Sequence, residues 1–488
     1  MERFKKLTLL HSNDLHGDFL SENIDKKLVG GVSRLSGYVS KVREKEKNVL
    51  YAIAGDMFRG SIIDSEFKGI STIEIMNILS PDVVTIGNHE TDYGISHLLF
   101  LEKCARFPII NANLFIKTNR ARLFSPYKII EIDGMKILFI GIVTEEVLAN
   151  AKNEGLIGTF VDVEEAAMEV AHICNTYNAI DIDFTVLLTH IGFEEDKKLA
   201  SILDPSLGVD IIIGGHSHTY IDKPEKVNDI LIVQAGMGTD QIGRFDIVID
   251  TKINSISEWK WKCIPINSRT CPKDKKLEEV ILNYKNDTDL KYGRVITRFK
   301  KELTHPDRYQ ETEIGDLFAD VLKDCLGLDV MLLGSGSIRK EKLGPVVVLQ
   351  DLMEIFPYDD PIYMVKVSGK KFKVMIKYVF RDEAFEGDHT EFYQFSSGLS
   401  VRYSKGKHEF LSFTLNEKEI GDDDILTVGL QNYHYLNSQT GFGLSLSELE
   451  ENGKGRMIAT SCRDILEEYL GEHQHLDSSG QGRIKIEK

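Results

Sequence analysis

Short apolar runs that stop abruptly at glycine or polar residues constrain the fold of this chain more than any other feature. The runs are LTLL, VLYAIA, VVTI, FTVLL and VDIII, which stop before His11, Gly55, Gly87, Thr189 and Gly214. Runs of this length, bounded in this way, are typical of strands that are buried on both faces. Such strands form the sheets of α/β proteins, so this chain is predicted to be α/β.

Helical patterns separate the predicted strands. Val32, Leu35, Val39 and Val42 recur at helical spacing, and residues 163–178 also favour a helix. A chain of 488 residues is too long for one ordinary core, which indicates two domains. We predict a first domain over 1–268, a charged linker helix within 269–300 and a second α/β domain over 301–488.

Polar clusters follow the predicted strands of the first domain. The sequences are NDLHG, AGDMFRG, GNHETD, LLTHIG and GGHSH, which contain Asp14, His16, Asp56, Asn88, His89, His190, His216 and His218. Ligands of open α/β sheets bind beyond the carboxyl ends of the strands, so these clusters are expected to converge on one rim.

The residue types in these clusters favour metal binding. Carboxylate, amide and imidazole donors without thiolates suit Zn, Mn, Fe or a similar divalent ion, and one aspartate can bridge two ions. Each motif alone has a simpler explanation: a strand-end cap for Asp14 and His16, a loop histidine for GNHE, a surface pair for GGHSH. Their joint occurrence, each after an apolar run, argues against those explanations.

The motifs SNDLHG, GD, GNHETDYG, THIG and GGHSH resemble the calcineurin-like metallophosphoesterases, specifically the bacterial 5′-nucleotidase family that includes the UDP-sugar hydrolases. The resemblance covers essentially the whole chain and is more specific in its first half. It implies an N-terminal four-layer αββα sandwich and a C-terminal α/β substrate-binding domain.

The same resemblance implies roles for individual residues. Asp14, His16 and His218 would hold one divalent ion (Mn, Zn, Co, Fe or Mg). Asn88, His190 and His216 would hold a second ion, and Asp56 would bridge the two. His89, oriented by Asp92, would stabilise the phosphoryl transition state or protonate the leaving oxygen.

The second domain resembles the family's substrate-binding domain less closely. The resemblance implies substrate-binding roles for Arg339 in GSGSIR and for Arg308 shortly before EIGDLFAD. It also implies that Tyr358 of FPYDD and Tyr435 of NYHYLNSQTGFGL stack on the base, with Phe442 as an alternative second ring. Gly398 of FYQFSSGLS is expected to lie close to the base. The family's GGDGY-like loop, whose aspartate contacts the nucleoside, is not matched. The substrate is therefore expected to be a small phosphate ester, with a nucleotide as the leading hypothesis.

Composition excludes several other classes. The net charge of −17 argues against a nucleic-acid-binding protein. No window is long and apolar enough for a membrane span, and the N-terminus does not resemble a signal peptide. The six scattered cysteines indicate free thiols, so a cytoplasmic location is expected. Oligomeric state has no sequence signal.

The leading hypothesis is thus a two-metal phosphohydrolase in which a metal-activated water attacks a nucleotide phosphate ester. A nucleotide-sugar pyrophosphatase or a 2′,3′-cyclic-nucleotide phosphodiesterase would use the same metals with a different pocket. A nucleotide-binding sensor with a relic catalytic domain would be expected to have lost a ligand or His89, and none is missing. We also expect a hinge near 270–300, with the active site between the two domains.

Overall fold

The computed structural model describes residues 3–24, 26–116, 119–144, 157–160, 162–177, 182–385, 391–478, 480 and 482–487. The chain divides into two compact units, Met1–Thr288 and Asp289–Lys488. The predicted linker contains one long helix, Lys275–Tyr292. The predicted boundaries at 268 and 300, and the hinge between them, stay predictions.

The first unit is built on two six-stranded sheets. In spatial order, the first sheet contains β16 (Ser255–Pro265), β15 (Gln241–Asp250), β1 (Phe4–Ser12), β4 (Val49–Ala54), β5 (Val83–Thr85) and β6 (Ile109–Ile110). The second contains β13 (Glu225–Val227), β14 (Ile230–Val233), β12 (Ile211–Ile213), β11 (Phe184–His190), β9 (Met135–Val143) and β8 (Tyr127–Ile132). Two small ribbons pair β2 (Glu22–Ile24) with β3 (Lys27–Val29) and β7 (Leu114–Ile116) with β10 (Ile157–Phe160).

Helices cover the outer faces of both sheets. They are α1 (Val32–Lys45), α2 (Ile62–Glu66), α3 (Ile70–Leu79), α4 (Ile95–Cys104), α5 (Val163–Tyr177), α6 (Phe193–Ile202) and α7 (Lys275–Tyr292). Alternate residues of β4 face the two neighbouring layers. Leu50 and Ala52 belong to the apolar core between the two sheets. Tyr51 and Ile53 belong to the core between the first sheet and its helices. The predicted four-layer αββα sandwich is confirmed.

The second unit contains a five-stranded sheet of β23 (Tyr393–Phe395), β19 (Val330–Gly334), β27 (Ile425–Gln431), β22 (Ile362–Ser368) and β28 (Arg456–Ala459). A four-stranded sheet contains β26 (Lys418–Glu419), β25 (Glu409–Leu415), β24 (Leu399–Ser404) and β29 (Ile484–Glu487). Two ribbons pair β17 (Val295–Arg298) with β21 (Val346–Val348) and β18 (Leu303–Thr304) with β20 (Lys342–Leu343).

Helices complete the second unit and give it the predicted α/β character. They are α8 (Glu313–Leu326), α9 (Leu349–Ile355), α10 (Gly369–Val379), α11 (Asn432–Leu436), α12 (Ser438–Phe442), α13 (Leu446–Leu449) and α14 (Cys462–Glu472). The core joins Val330 and Val365 of the five-stranded sheet to Phe372 of α10 and Val401 of the four-stranded sheet. Among the described residues, no helix has the length and apolar composition needed to cross a bilayer.

Candidate metal centre

The strand ends of the two sheets in the first unit meet at one edge. β1, β4 and β5 are parallel, and so are β11 and β12, so the polar residues that follow each set lie on the same side. Two contacts join the sheets there: His190 Nδ1 lies 2.8 Å from the Ala54 carbonyl oxygen, and the His216 backbone N–H donates to Asp14 Oδ1 at 3.0 Å. The predicted convergence of the motifs is therefore observed.

Asp14, His16 and His218 form one group of ligand atoms. The Nε2 atoms of His16 and His218 lie 3.0 Å apart. Asp14 Oδ1 lies 3.5 Å from His218 Nε2 and 3.9 Å from His16 Nε2. The sequence assigned these three residues to one ion, and the structure brings them together.

Asp14, Asp56 and His190 form a second, fully buried group. His190 Nδ1 is held by the Ala54 carbonyl, so that nitrogen carries a proton and Nε2 is the nitrogen available to a ligand. Nε2 lies 3.1 Å from Asp56 Oδ2, yet its geometry is not that of a hydrogen bond. A histidine that donates one N–H to a carbonyl and leaves the other nitrogen without a partner has the arrangement of a metal ligand.

Asn88 and His216 lie next to this group. His216 Nδ1 is 3.0 Å from Asn88 Oδ1, although the two residues are far apart in sequence. His89 Nδ1 is 2.8 Å from Asp92 Oδ2, as expected for an oriented histidine. His89 also lies within ligand distance of His16 and Asp56, so its role as a non-ligand stays a prediction.

The electrostatics of these residues favour a cation between the carboxylates. Burial disfavours the charged form of His190, but the negative charges of Asp56 and Asp14 outweigh it and raise the pKa of His190 to about 9. Burial would raise the pKa of Asp56, yet the positive charge of His190 lowers it to about 2. A bound metal ion would take the place of the proton on His190 Nε2, because an imidazole that ligates a metal must be neutral.

The backbone at these residues is strained. The φ angle lies in the left-handed region at Asp14 (51°), His16 (47°), Asp56 (51°), His216 (77°) and His218 (53°). Each such residue costs on the order of 1 kcal/mol or more and persists only where its surroundings hold it, typically at functional sites.

Glu90, which the sequence reasoning missed, supplies much of this support. Its buried carboxylate accepts hydrogen bonds from the backbone N–H groups of Asp56 (2.9 Å), Met57 (2.7 Å), Phe58 (3.3 Å) and Gly87. One side chain therefore holds the Asp56 loop against the GNHE loop. An acidic residue directly after the histidine was the available signal, but its spacing says nothing about four backbone donors.

Gly87 and Gly215 allow these loops to come close. A Cβ added to Gly87 would lie 2.2 Å from Asp56 Oδ1, and one added to Gly215 would lie 2.5 Å from the Ala54 carbonyl oxygen. Any side chain at either position would displace a proposed ligand or its support.

The second unit contains a cavity of about 350 Å³. The predicted residues Arg308, Arg339 and Tyr358 line it, together with Glu391 and Tyr433. Arg339 donates to the Tyr358 hydroxyl at 2.8 Å, and Arg308 pairs with Glu391 at 3.2 Å. The rings of Tyr358 (48% exposed) and Tyr433 (61% exposed) are available for stacking.

Two predicted substrate-binding residues lie elsewhere. Tyr435 is only 7% exposed, stacks on Tyr363 at 4.3 Å and bonds to Glu450 through its hydroxyl, so its ring lies away from the cavity and its stacking role stays a prediction. A helical turn at Asn432–Leu436 directs Tyr433 toward the cavity and Tyr435 into the core. The alternative ring, Phe442, is fully buried against Tyr393.

The expected contact of Gly398 with a base also stays a prediction. Gly398 has φ +89° in the turn before β24, and its carbonyl accepts from the backbone N–H of Asn416. It is not among the described residues that line the cavity. Glycine is needed there for the turn.

Two family models match this chain. Residues 7–220 match the calcineurin-like phosphoesterases, and residues 295–445 match the 5′-nucleotidase C-terminal domain. The chain belongs to the calcineurin-like phosphoesterases of the 5′-nucleotidase type. It is therefore a phosphoesterase, and calcineurin-like phosphoesterases use divalent metals, which the grouped aspartates and histidines can hold.

Individual relatives of this phosphoesterase agree with the assignment. It is 26% identical to the 5′-nucleotidase of Mus musculus in an alignment that covers 99% of this chain and 90% of the mouse protein. A 5′-nucleotidase precursor from Thermus thermophilus has a similar fold, with a TM-score of 0.63 at 22% identity over 99% of this chain and 100% of that one. A putative 5′-nucleotidase from Staphylococcus aureus also has a similar fold, with a TM-score of 0.67 at 16% identity over 99% of this chain and 100% of that one.

Proposed function

We propose that this phosphoesterase hydrolyses a nucleoside monophosphate with two divalent cations held at the strand ends of the first unit. The observation that carries the proposal is the buried His190 Nε2, which faces Asp56 and Asp14 without a hydrogen bond. This nitrogen lies 3.1 Å from Asp56 Oδ2 and 3.7 Å from Asp14 Oδ1, so it shares with two carboxylates the space that a cation would fill.

The donor set fits two ions that share a carboxylate. Asp14, His16 and His218 would hold one ion, Asn88, His190 and His216 would hold the other, and Asp56 would bridge them. Oxygen and imidazole donors without a thiolate are compatible with Mn, Zn, Co, Fe and Mg, so the choice among these metals is left to experiment. When bound, divalent ions would neutralise the phosphate charge and would lower the pKa of a water molecule so that it can act as the nucleophile.

His89 would transfer a proton to the leaving oxygen. A carboxylate can only accept, so the 2.8 Å contact with Asp92 places the proton of the neutral ring on Nδ1 and leaves Nε2 for the substrate. The hydrogen bond to Asp92 also raises the pKa of His89, which favours the protonated form that a general acid requires.

The cavity of the second unit supports a nucleotide rather than a simple phosphate. Two exposed tyrosine rings can stack on a base, and Arg308 and Arg339 supply positive charge in an otherwise acidic protein. A nucleotide-sugar pyrophosphatase or a cyclic-nucleotide phosphodiesterase would need the same metals and differ in this cavity.

A hydrolysis screen tests the proposal. Metal-stripped protein would be supplied with Mn²⁺, Zn²⁺, Co²⁺, Fe²⁺ or Mg²⁺ and offered nucleoside monophosphates, nucleotide sugars and cyclic nucleotides, with Asp56→Asn as the inactive control. We expect release of phosphate from a nucleoside monophosphate that stops on chelation. Activity that survives exhaustive EDTA treatment, or none with any ion, would contradict the proposal.

We also propose that the protein works in the cytoplasm. Its six cysteines are free, and Cys104 and Cys325 are exposed, which suits a reducing compartment. Fractionation of the source cells, with detection by an antibody, tests this. Recovery outside the cytoplasm would overturn the location without affecting the proposed reaction.

A further inference from the structure

Arg59 contacts the same oxygen that orients His89. The Arg59 Nε–H donates to Asp92 Oδ2 at 2.8 Å, and His89 Nδ1 approaches that oxygen at the same distance. Asp92 is nearly buried, whereas Arg59 and His89 are each partly open to solvent. The three side chains therefore form a continuous chain that ends at the proposed proton donor.

Arg59 is held in place from two directions. Its backbone N–H donates to Asp64 Oδ2 at 2.9 Å, and its φ of 65° is in the left-handed region. The Tyr93 hydroxyl donates to the same Asp64 oxygen at 2.7 Å, and the Arg59 guanidinium lies 5.6 Å from the centre of the Tyr93 ring. A fully buried carboxylate thus fixes both the backbone of Arg59 and the ring beside its guanidinium.

This support distinguishes the ion pair between Arg59 and Asp92 from an ordinary surface ion pair. An exposed ion pair contributes about 0–1 kcal/mol and needs no strained backbone. Here three features hold the Arg59 guanidinium at Asp92. They are the left-handed φ of Arg59, the buried carboxylate of Asp64 and the ring of Tyr93. Stability alone does not account for that arrangement.

We propose that Arg59 is a positioning residue for the hydrolysis, acting on His89 through Asp92. Two donors on one oxygen stop the Asp92 carboxylate from rotating, so the His89 ring stays aligned with Nε2 toward the substrate. Arg59 also balances the negative charge of Asp92, which would otherwise repel an anionic phosphate ester. This inference rests on the proposed function.

The chemistry gives the inference a specific signature. Hydrolysis of a nucleoside monophosphate breaks the bond between phosphorus and the 5′-oxygen while water forms the new bond to phosphorus. The leaving alkoxide then needs a proton, which His89 Nε2 supplies. Hydrolysis of p-nitrophenyl phosphate releases a stable phenolate that leaves without a proton, so it depends much less on the alignment of His89.

The test compares Arg59→Met and Arg59→Lys on both substrates in the metal-loaded protein. For Arg59→Met we expect kcat on the nucleoside monophosphate to fall by about 10-fold to 100-fold, the range that a small misplacement of a catalytic group can cause. On p-nitrophenyl phosphate we expect a fall of at most about 3-fold, since no positioned proton donor is required. Arg59→Lys should recover part of the loss, because an ammonium can still donate to Asp92.

Arg43→Met is the matched control, since Arg43 pairs with Asp82 at 2.7 Å elsewhere on the first unit. It should change neither rate. Metal content and the thermal midpoint of Arg59→Met should equal those of the wild type. In the metal-free protein, the ¹⁵N-histidine NMR signal of the His89 Nδ1–H, identified with His89→Ala, should exchange faster with solvent in Arg59→Met.

The outcomes separate the inference from the function on which it rests. If the wild type hydrolyses neither substrate with any ion, the proposed function fails. If the wild type is active but Arg59→Met matches it, or loses both rates equally, the positioning role is overturned while the function stands.

Discussion

His16 and His218 point their Nε2 atoms at each other across 3.0 Å, although 202 positions separate them in the sequence. Two ring nitrogens this close must share a proton or a cation. Asp14 Oδ1 lies within 3.9 Å of both, so the three ligand atoms surround one point. The imidazole and carboxylate donors of that point are those of a divalent metal site.

His89→Ala tests whether His89 is a proton donor rather than a metal ligand. We expect both ions to remain bound and kcat for a nucleoside monophosphate to fall by about 10²-fold to 10⁴-fold, because a general acid contributes that much. Metal analysis beside steady-state kinetics measures this. Loss of an ion in His89→Ala would show instead that His89 is a ligand, as its closeness to His16 and Asp56 permits.

Glu90→Gln tests the support of the Asp56 loop. A glutamine amide cannot accept four backbone N–H groups, so Asp56 should lose its fixed conformation. We expect metal affinity to fall by about 10-fold to 100-fold, as for other residues that orient ligands. A chelator-competition titration measures the affinity, and Glu74→Gln, which affects only a bond from the Tyr284 hydroxyl, is the control. Equal affinities in the two variants would rule out the supporting role.

Tyr433→Ala tests whether Tyr433, rather than Tyr435, is the second ring that stacks on the base. Loss of one stacking partner should raise KM for the nucleotide by about 10-fold, within the 1–3 kcal/mol that stacking on a base contributes. Hydrolysis of p-nitrophenyl phosphate should be unchanged. Tyr435→Phe removes only the hydroxyl bond to Glu450 and should leave KM unaffected. A higher KM in Tyr435→Phe, with an unchanged KM in Tyr433→Ala, would instead indicate that Tyr435 contacts the nucleotide.

His11 should make the first unit sensitive to acid. Burial lowers the pKa of His11 from 6.5 to about 3, and its Nε2 accepts the Trp261 indole N–H at 3.2 Å. Between these values the unfolded chain binds a proton that the folded chain does not, so stability is lost as pH falls below 6.5. At pH 5 the loss is about 2 kcal/mol.

Urea unfolding followed by tryptophan fluorescence measures this effect, because both tryptophans lie in β16 of the first unit. The difference in unfolding free energy between the wild type and His11→Gln should shift by about 2 kcal/mol between pH 7.5 and pH 5, at about 1.4 kcal/mol per pH unit below 6.5. A difference that does not change with pH would contradict a neutral, buried His11.

The sequence predicted the α/β class and the clustering of the motifs because strand periodicity and the rule for parallel strand ends are both local or general, whereas the four-layer sandwich was implied by the resemblance to a known family. It could not predict Glu90 or Arg59, because their roles depend on partners brought close only by the folded loops. The orientation of the Tyr433 and Tyr435 rings could not be predicted for the same reason, because it depends on the short helix Asn432–Leu436, in which Tyr435 is buried. The sequence could not decide the role of Gly398, because a turn and a ligand contact both favour glycine.

Anomalous diffraction from crystals grown with Mn²⁺ tests the central claim most directly. We expect two anomalous peaks about 3.5–4 Å apart. The Asp56 carboxylate should lie between them, His16 and His218 should lie on one ion, and His190 and His216 on the other. A single peak, or two peaks that do not share Asp56, would contradict it.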